Sequence, residues 1–452
     1  VARVAALNAP RPSPPFPRFA PVARLRPVAL VQPGTDLPGA PYAAVERDLP
    51  DAGFAAEVSL SSGPTRYAAT WDGTRVGLVT TVAGRTRPHV SRRHGRAEDP
   101  TGLALSLTGP FLTAWTREGE RWVARAVVDL DEPGAPGGPD PHDEGWLAGL
   151  TADGDRAGCF GQLGLRDVRV VTDADGTPCT DDGRVLLTAT SAGPGGFRTG
   201  HTSVWSLDPD TLDLGHRGDL FFRRPERPGV LGDHATHLVR DRGVDGGVEG
   251  DRWLVATSTW GDFDRRRRAR VTTTVATVPA TTDVTRGSHV LDTVALRLPT
   301  PPDSVGSWDP HLVRDGDGWW ATYVSASRFF RFHPVVAQGP ALDRMSLRAS
   351  ATGRTATEGP TLVRRDDRWW VLASDGRDGP RAHRARYPVL DLDLHQHGHL
   401  DAAYPTNLPW PSLVDLPGRR PLLVGFNGAA YGGPLLGYGT HGALVVQRAG
   451  ED

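Results

Sequence analysis

From residue 46 onward the apolar positions come in short runs, alternating or continuous, and nowhere keep the three-to-four spacing of a long amphipathic helix. Runs at 54–60, 67–82, 103–109 and 111–130 are separated by turn residues. Those flanking Asp72-Gly73 and Glu118-Gly119 read as hairpins, because an acidic residue followed by glycine supplies the backbone a tight reversal needs. Residues 46–150 are therefore expected to be a β-rich accessory region, sandwich-like, ending in a loop-forming stretch at 131–145. Ahead of it, residues 1–45 are Pro-rich and predict an extended arm that wraps a domain or stays mobile.

Beyond residue 150 the pattern repeats itself. An acidic residue, then Leu-Val-Arg, a polar turn and a Trp-containing apolar strand occur around Asp233, Asp309 and Glu358, with weaker copies from Asp167 and Asn407. The apolar pairs begin at 170, 238, 312, 362 and 413, steps of 68, 74, 50 and 51 residues. A strand–turn–strand unit at this period is the signature of a β-propeller, whose four-stranded sheets are arranged radially. The expected fold is all-β: a five-bladed β-propeller over residues 151–452, preceded by the sandwich-like region. Trp319, Trp320, Trp369 and Trp370 fall at one place in the repeat, which suits packing between blades.

Composition narrows the chemistry. The 51 basic residues are all Arg, against 53 acidic ones, for a net charge of -2. Without Lys there is no Schiff-base or P-loop lysine chemistry, and the neutral balance gives no footprint for nucleic acid. No apolar run is long enough for a membrane span. Two cysteines, Cys159 and Cys179, are too few for a disulfide framework or a four-Cys zinc site; they pair with each other or stay as free thiols. The arginine run at 265–268 reads as a solvated loop, and the Asp-rich stretch at 173–183 lacks EF-hand spacing. The chain as given shows no signal-peptide core, which favours the cytoplasm; because it starts at Val1, removal of a leader and secretion stay open. Oligomeric state is not legible.

In a propeller the innermost strand of each blade starts at the central funnel, so equivalent strand starts converge. The repeat places Asp167, Asp233, Asp309 and Glu358 near such starts. Carboxyl groups crowded at one channel mouth push each other's pKa values apart, which suits glycoside hydrolysis: one acid protonates the leaving oxygen and one carboxylate activates water or attacks.

Asp309-Pro310-His311-Leu312-Val313, followed by an aromatic strand, resembles the second acidic motif of glycoside hydrolase family 43. Glu358-Gly359-Pro360, followed by Thr-Leu-Val, resembles that family's general-acid motif, and Arg166-Asp167 matches its first motif with Val168 in place of the usual Pro. The resemblance covers about residues 160–448. It implies an inverting enzyme acting on a pentose-type sugar, arabinofuranoside favoured, with Asp167 as general base, Asp309 tuning the acid and Glu358 as general acid. It implies no required cofactor. A structural calcium at the channel centre has no matching His, since the relevant stretch reads Asn407-Leu408-Pro409-Trp410. Expected substrate contacts are Asp233, His234, His237, Trp308, His311 and Asn407, with no metal ligands and an oligosaccharide or glycoside as the partner.

Blander roles compete. An Asp or Glu ahead of a strand also serves to bond turn amides, and Asp167 between Arg166 and Arg169 also suits a salt bridge. Two other functions fit the same sequence: a non-catalytic carbohydrate-binding propeller, and a retaining or transglycosylating fructofuranosidase.

Overall fold

The computed structural model describes residues 15–50, 53–132, 137–243, 250–264, 270–329 and 331–450. The arginines at 265–268 and the first fourteen residues of the Pro-rich arm lie outside them. The described chain is all-β: two packed sheets near the N-terminus and a β-propeller after them. Among the described residues, no helix is long and apolar enough to cross a membrane.

The first of the N-terminal sheets runs in the order Arg121–Asp129, Phe111–Glu118, Gly102–Thr108, Tyr42–Asp48, Arg156–Gln162 and Ala29–Val31. The second contains Thr151–Asp153, Ala56–Ser62, Thr65–Trp71, Val76–Val82 and Arg85–His89. Both hairpins form where the turn residues place them: Trp71 pairs with Val76, Glu118 with Arg121, and Gly73 and Gly119 take positive φ. Val45, Leu60, Tyr67, Trp71, Leu105 and Trp146 fill the space between the sheets.

Two segments join sheets that sequence proximity does not suggest. Phe19–Leu25, inside the Pro-rich stretch, pairs with the last strand, Ala443–Ala449, as the outer strand of the last propeller sheet. Arg156–Gln162, placed with the propeller on sequence grounds, pairs instead with Tyr42–Asp48. Strand partnership is set by which exposed sheet edge a segment can cover, and local pattern does not carry that information.

Five sheets follow from Leu165 onward, and their inner strands are Leu165–Val170, His234–Asp241, Gly306–Asp315, Thr357–Arg365 and Ser412–Val414. The first four of these strands abut in chain order, and the fifth returns to the first. Gly359 closes the ring against Trp410: it sits at φ +63, and a Cβ there would strike the Trp410 indole, so only glycine fits.

Apolar clusters between neighbouring sheets hold the ring. Trp319 packs with Leu254, Ala256 and Val335, and Trp369 with Val313, Val336 and Leu390. The N-terminal sheets dock on the first propeller sheet through Tyr42, Trp115 and Phe160, which meet Phe221 and Val230. Tyr42 stacks on Phe221 at 5.3 Å and donates its hydroxyl proton to Gly200 O at 3.0 Å. Cys159 and Cys179 are both free and buried, in different clusters.

Candidate active site

Four of the inner strands share one irregularity at the funnel end. Their pairing register shifts between Arg166 and Arg169, His234 and His237, Trp308 and His311, and Glu358 and Thr361. At each bulge one residue has positive φ: Asp167 (52), Ala235 (61), Asp309 (59) and Gly359 (63); Trp410 (52) takes the same place before the fifth inner strand. Left-handed backbone costs an L-residue about 1–2 kcal/mol, and Asp tolerates it better than most because its short side chain bonds nearby amides. The bulge puts the preceding residue and the left-handed residue at the funnel while the next strand position packs below.

That frame explains an offset in the sequence. Asp309 occupies the left-handed position and Glu358 the position before one, so the Leu-Val pair follows Asp309 by three residues and Glu358 by four. It also shows that Asp233 is not an equivalent of Asp309. Ala235 is, and Asp233 lies two residues earlier.

Asp167, Asp309 and Glu358 all line a single cavity of about 940 Å³, at the upper end of the range for small-molecule sites. Asp309 is the deepest, only 1% exposed, and its backbone N–H donates to Ser258 Oγ at 2.9 Å. Burial and the charge of Glu358 hold its carboxyl well above the usual range, with Arg169 opposing. Burial likewise raises Asp167, against Arg166, whose Nε lies 3.3 Å from Asp167 Oδ2. Burial raises Glu358 to about 7; the hydrogen bond from Trp308 Nε1 to Glu358 Oε1 at 2.8 Å opposes the shift, and Asp167 adds to it.

Beneath the carboxyl groups lies Arg169, fully buried. Its Nη1 donates to Pro360 O at 2.8 Å and Thr361 Oγ1 at 2.7 Å, and Nη2 donates to Asp309 O at 2.8 Å. The guanidinium stands 4.7 Å over the Trp410 ring. One side chain from the first sheet thus ties the third, fourth and fifth around the axis and supplies positive charge under the acids.

The expected contact residues divide. His234, Trp308 and Asn407 line the cavity. His234 bonds Gly232 O through Nδ1 at 3.0 Å, and burial pulls its pKa down to about 3, leaving a neutral imidazole. Asn407 Oδ1 accepts from Arg377 N at 2.6 Å. His237 and His311 stand at the strand position below the bulge, stacked on each other at 3.9 Å and buried, outside the cavity wall. Asp233 is also outside it: Arg224 Nε donates to Oδ2 at 2.7 Å and Gly261 N to Oδ1 at 3.0 Å, making a buried ion pair. Both carboxylate oxygens are engaged by protein donors, and Asp233 is fully buried away from the cavity.

Several wall residues have no local signal in the sequence. Phe197 stacks on Trp260 at 4.5 Å, and Trp260 meets the edge of Trp308 at 5.4 Å, forming an aromatic side to the cavity. Tyr438 and His441 come from the Gly-rich stretch before the last strand. Phe111 comes from the N-terminal sheets, so the accessory region supplies part of the wall. Trp410 could have been found by aligning on the Pro that follows the left-handed residue: Trp308-Asp309-Pro310, Glu358-Gly359-Pro360 and Pro409-Trp410-Pro411 are in one frame.

An arrangement of a carboxyl group protonated near neutrality in one cavity with two others, walled in part by aromatic rings, can donate a proton, accept one and stack an apolar sugar face.

No family model matches the chain, and no curated relative matches it. Among solved structures, a B. megaterium levansucrase is similar over 64% of this chain and 85% of its own, at 10% identity and a TM-score of 0.44. A family 117 glycoside hydrolase of Zobellia galactanivorans is similar over 63% and 84%, at 12% identity and 0.43. An α-L-arabinanase of Penicillium chrysogenum, complexed with arabinobiose, is similar over 94% and 98%, at 10% identity and 0.37. Likenesses this distant assign no activity to the chain, and its function has to be argued from its own carboxyl groups.

Proposed function

We propose that this chain is a glycoside hydrolase in which Glu358 is the general acid, Asp167 the general base and Asp309 the group that tunes and orients the acid. The observation that carries the reading is the pairing of a Glu358 carboxyl raised to about 7 with Asp167 in one cavity. A carboxyl that keeps its proton near neutral pH can give it to a leaving oxygen, and Asp167, with Arg166 opposing the effect of burial, takes a proton in its ionised form.

In the inverting form of the reaction, Asp167 removes a proton from water as the water oxygen attacks the anomeric carbon. The bond from that carbon to the leaving oxygen breaks as Glu358 delivers its proton to that oxygen. Glu358 ends ionised and Asp167 protonated, and exchange with solvent restores both. The negative charge that favours the protonated form of the acid comes from Asp167, and Asp309, tied through its backbone carbonyl to Arg169, is the neighbouring carboxyl that orients it.

The sugar is a pentose-type unit, arabinofuranoside favoured, and this part rests on the likeness of Asp309-Pro310 and Glu358-Gly359-Pro360 to the family 43 motifs. Trp308, on the cavity wall, is the ring offered for stacking, and the neutral His234 and the amide of Asn407 are the groups available to hydroxyls.

The experiment is hydrolysis of a panel of furanosides and pyranosides by the parent chain, with the first-formed anomer read by NMR. The proposal expects turnover on a furanoside with an inverted product. A retained product would replace it with the fructosidase-type mechanism, and binding without turnover would leave a carbohydrate-binding propeller.

A further inference from the structure

Away from the funnel, where the N-terminal sheets meet the first propeller sheet, Cys159, His201 and Asp219 come together with one donor atom from each within 4.8 Å of the others. Cys159 and His201 are fully buried and Asp219 is 1% exposed. None of them lines the cavity, and the proposed reaction uses none of them. Cys159 belongs to Arg156–Gln162 of the six-stranded sheet, His201 to His201–Leu207 and Asp219 to Leu214–Arg224. Asp219 pairs with Ser203, two residues along from His201, so the His and Asp side chains share the sheet face that meets Cys159.

The polar atoms here are incompletely satisfied. His201 Nε2 and His216 Nε2 both bond a single oxygen, Asp219 Oδ1, at 3.0 and 3.2 Å. Asp219 Oδ2 and His201 Nδ1 are buried with no hydrogen-bond partner. Cys159 Sγ makes a long contact to Phe160 O at 3.6 Å and lies against the Asp219 carboxylate. Buried polar atoms are almost always bonded, so the orphaned Asp219 Oδ2 beside a thiol marks a place where a partner belongs. The aromatic rings of Tyr42 and Phe221 flank His201 at 5.0 and 5.3 Å.

We propose that Cys159, His201 and Asp219 bind one structural divalent cation of the zinc type, with His216 closing the coordination, and that this ion pins the N-terminal sheets to the propeller. Thiolate, imidazole and carboxylate are the donors zinc takes in four-coordinate protein sites, whereas calcium and magnesium take oxygen alone. Binding ionises the thiol and releases its proton to solvent; thiolate and carboxylate then balance the two positive charges of the ion. His201 exchanges its bond to Asp219 for the metal, and His216, at 12% side-chain exposure, lies at the rim.

The test is elemental analysis of the full chain purified without chelators, followed by stripping and titration with Co²⁺. The expected result is about one zinc per chain and, on Co²⁺ loading, the near-ultraviolet absorption of a cobalt–thiolate bond. That absorption should vanish in Cys159→Ser and persist in Cys179→Ser. Absence of metal in the isolated chain, together with no cobalt–thiolate band in the stripped parent, would overturn the proposal; so would a band that survives Cys159→Ser. If Cys159→Ser does not fold, the parent's stoichiometry and spectrum decide, because they need no variant.

Discussion

Trp308 Nε1 donates to Glu358 Oε1 at 2.8 Å, across the boundary between the third and fourth propeller sheets. The two residues are equivalents, each standing just before a left-handed residue, Asp309 in one sheet and Gly359 in the next. A neighbouring blade therefore supplies the hydrogen bond that tempers the acid.

The Trp308→Phe variant removes that donor while keeping an aromatic ring. An N–H bonded to a carboxylate favours its ionised form, so its loss moves Glu358 further above about 7. The alkaline limb of kcat/KM should shift upward by about one pH unit, the equivalent of about 1.4 kcal/mol. A limb that stays in place, measured across pH 5–9, would mean that Glu358 does not control it.

The parent's own profile follows from the two directions of shift. Glu358 must be protonated, so activity falls as pH rises through about 7; Asp167 must be ionised, and burial raises it, so activity falls on the acid side at a pH above its ordinary 3.8. A bell-shaped kcat/KM is expected, and a profile still rising at pH 9 would contradict the assignment of Glu358 as the acid.

Asp167→Asn should lower kcat by about 10²–10⁴-fold whatever the leaving group, because every substrate needs the activated water. Comparison of an aryl glycoside with an alkyl glycoside separates this from Glu358→Gln, whose loss should be large for the alkyl and small for the aryl substrate. Equal losses in both variants on both substrates would point to a shared structural defect.

Arg169→Met tests the buried cation. Removing it leaves Asp309 and Asp167 without the charge that lowers them, so both rise further and the acid limb of kcat/KM moves to higher pH. Stability should also fall by about 3–5 kcal/mol, the usual consequence of breaking a buried charge cluster. An unfolding measurement that shows the stability loss with an unchanged acid limb would make Arg169 a structural tie alone.

The site, with its fold, was legible in the sequence to a limited depth. The repeat located Asp167, Asp309 and Glu358 because inner strands must begin at the funnel, and it implied that they converge. It misplaced Asp233, because counting back from Leu-Val ignores the bulge; the frame that matters runs through Ala235, and an ion pair with Arg224 takes up the Asp233 carboxylate. His237 and His311 were grouped with the contacts for the same reason, and lie one layer below them. Phe111 and the strand Phe19–Leu25 reach the funnel wall and the last sheet through long-range pairing, for which single-sequence periodicity carries no signal. Composition was mute on Arg169, since one buried arginine among 51 looks like any other.

A buried acid also carries a stability consequence. With an unfolded pKa of 4.5 and a folded value of about 7, Glu358 keeps its proton in the native state while the unfolded chain loses one. Its contribution is therefore present below pH 4.5, declines as pH rises to about 7 and is level beyond. Glu358→Gln removes the titration, so the variant should gain on the parent between those limits, by about 3 kcal/mol at most. Denaturant unfolding at pH 4.5 and pH 8 measures the gap, and a gap that shrinks toward pH 8 would contradict the raised pKa.

The central claim meets its most direct test in the hydrolysis of a natural, poor-leaving-group furanoside by parent and Glu358→Gln chains of equal fold. The account predicts turnover by the parent and a loss of at least about 10²-fold in the variant, with binding of the substrate retained. Near-normal turnover by Glu358→Gln would contradict it, as would a parent that binds glycosides and cleaves none.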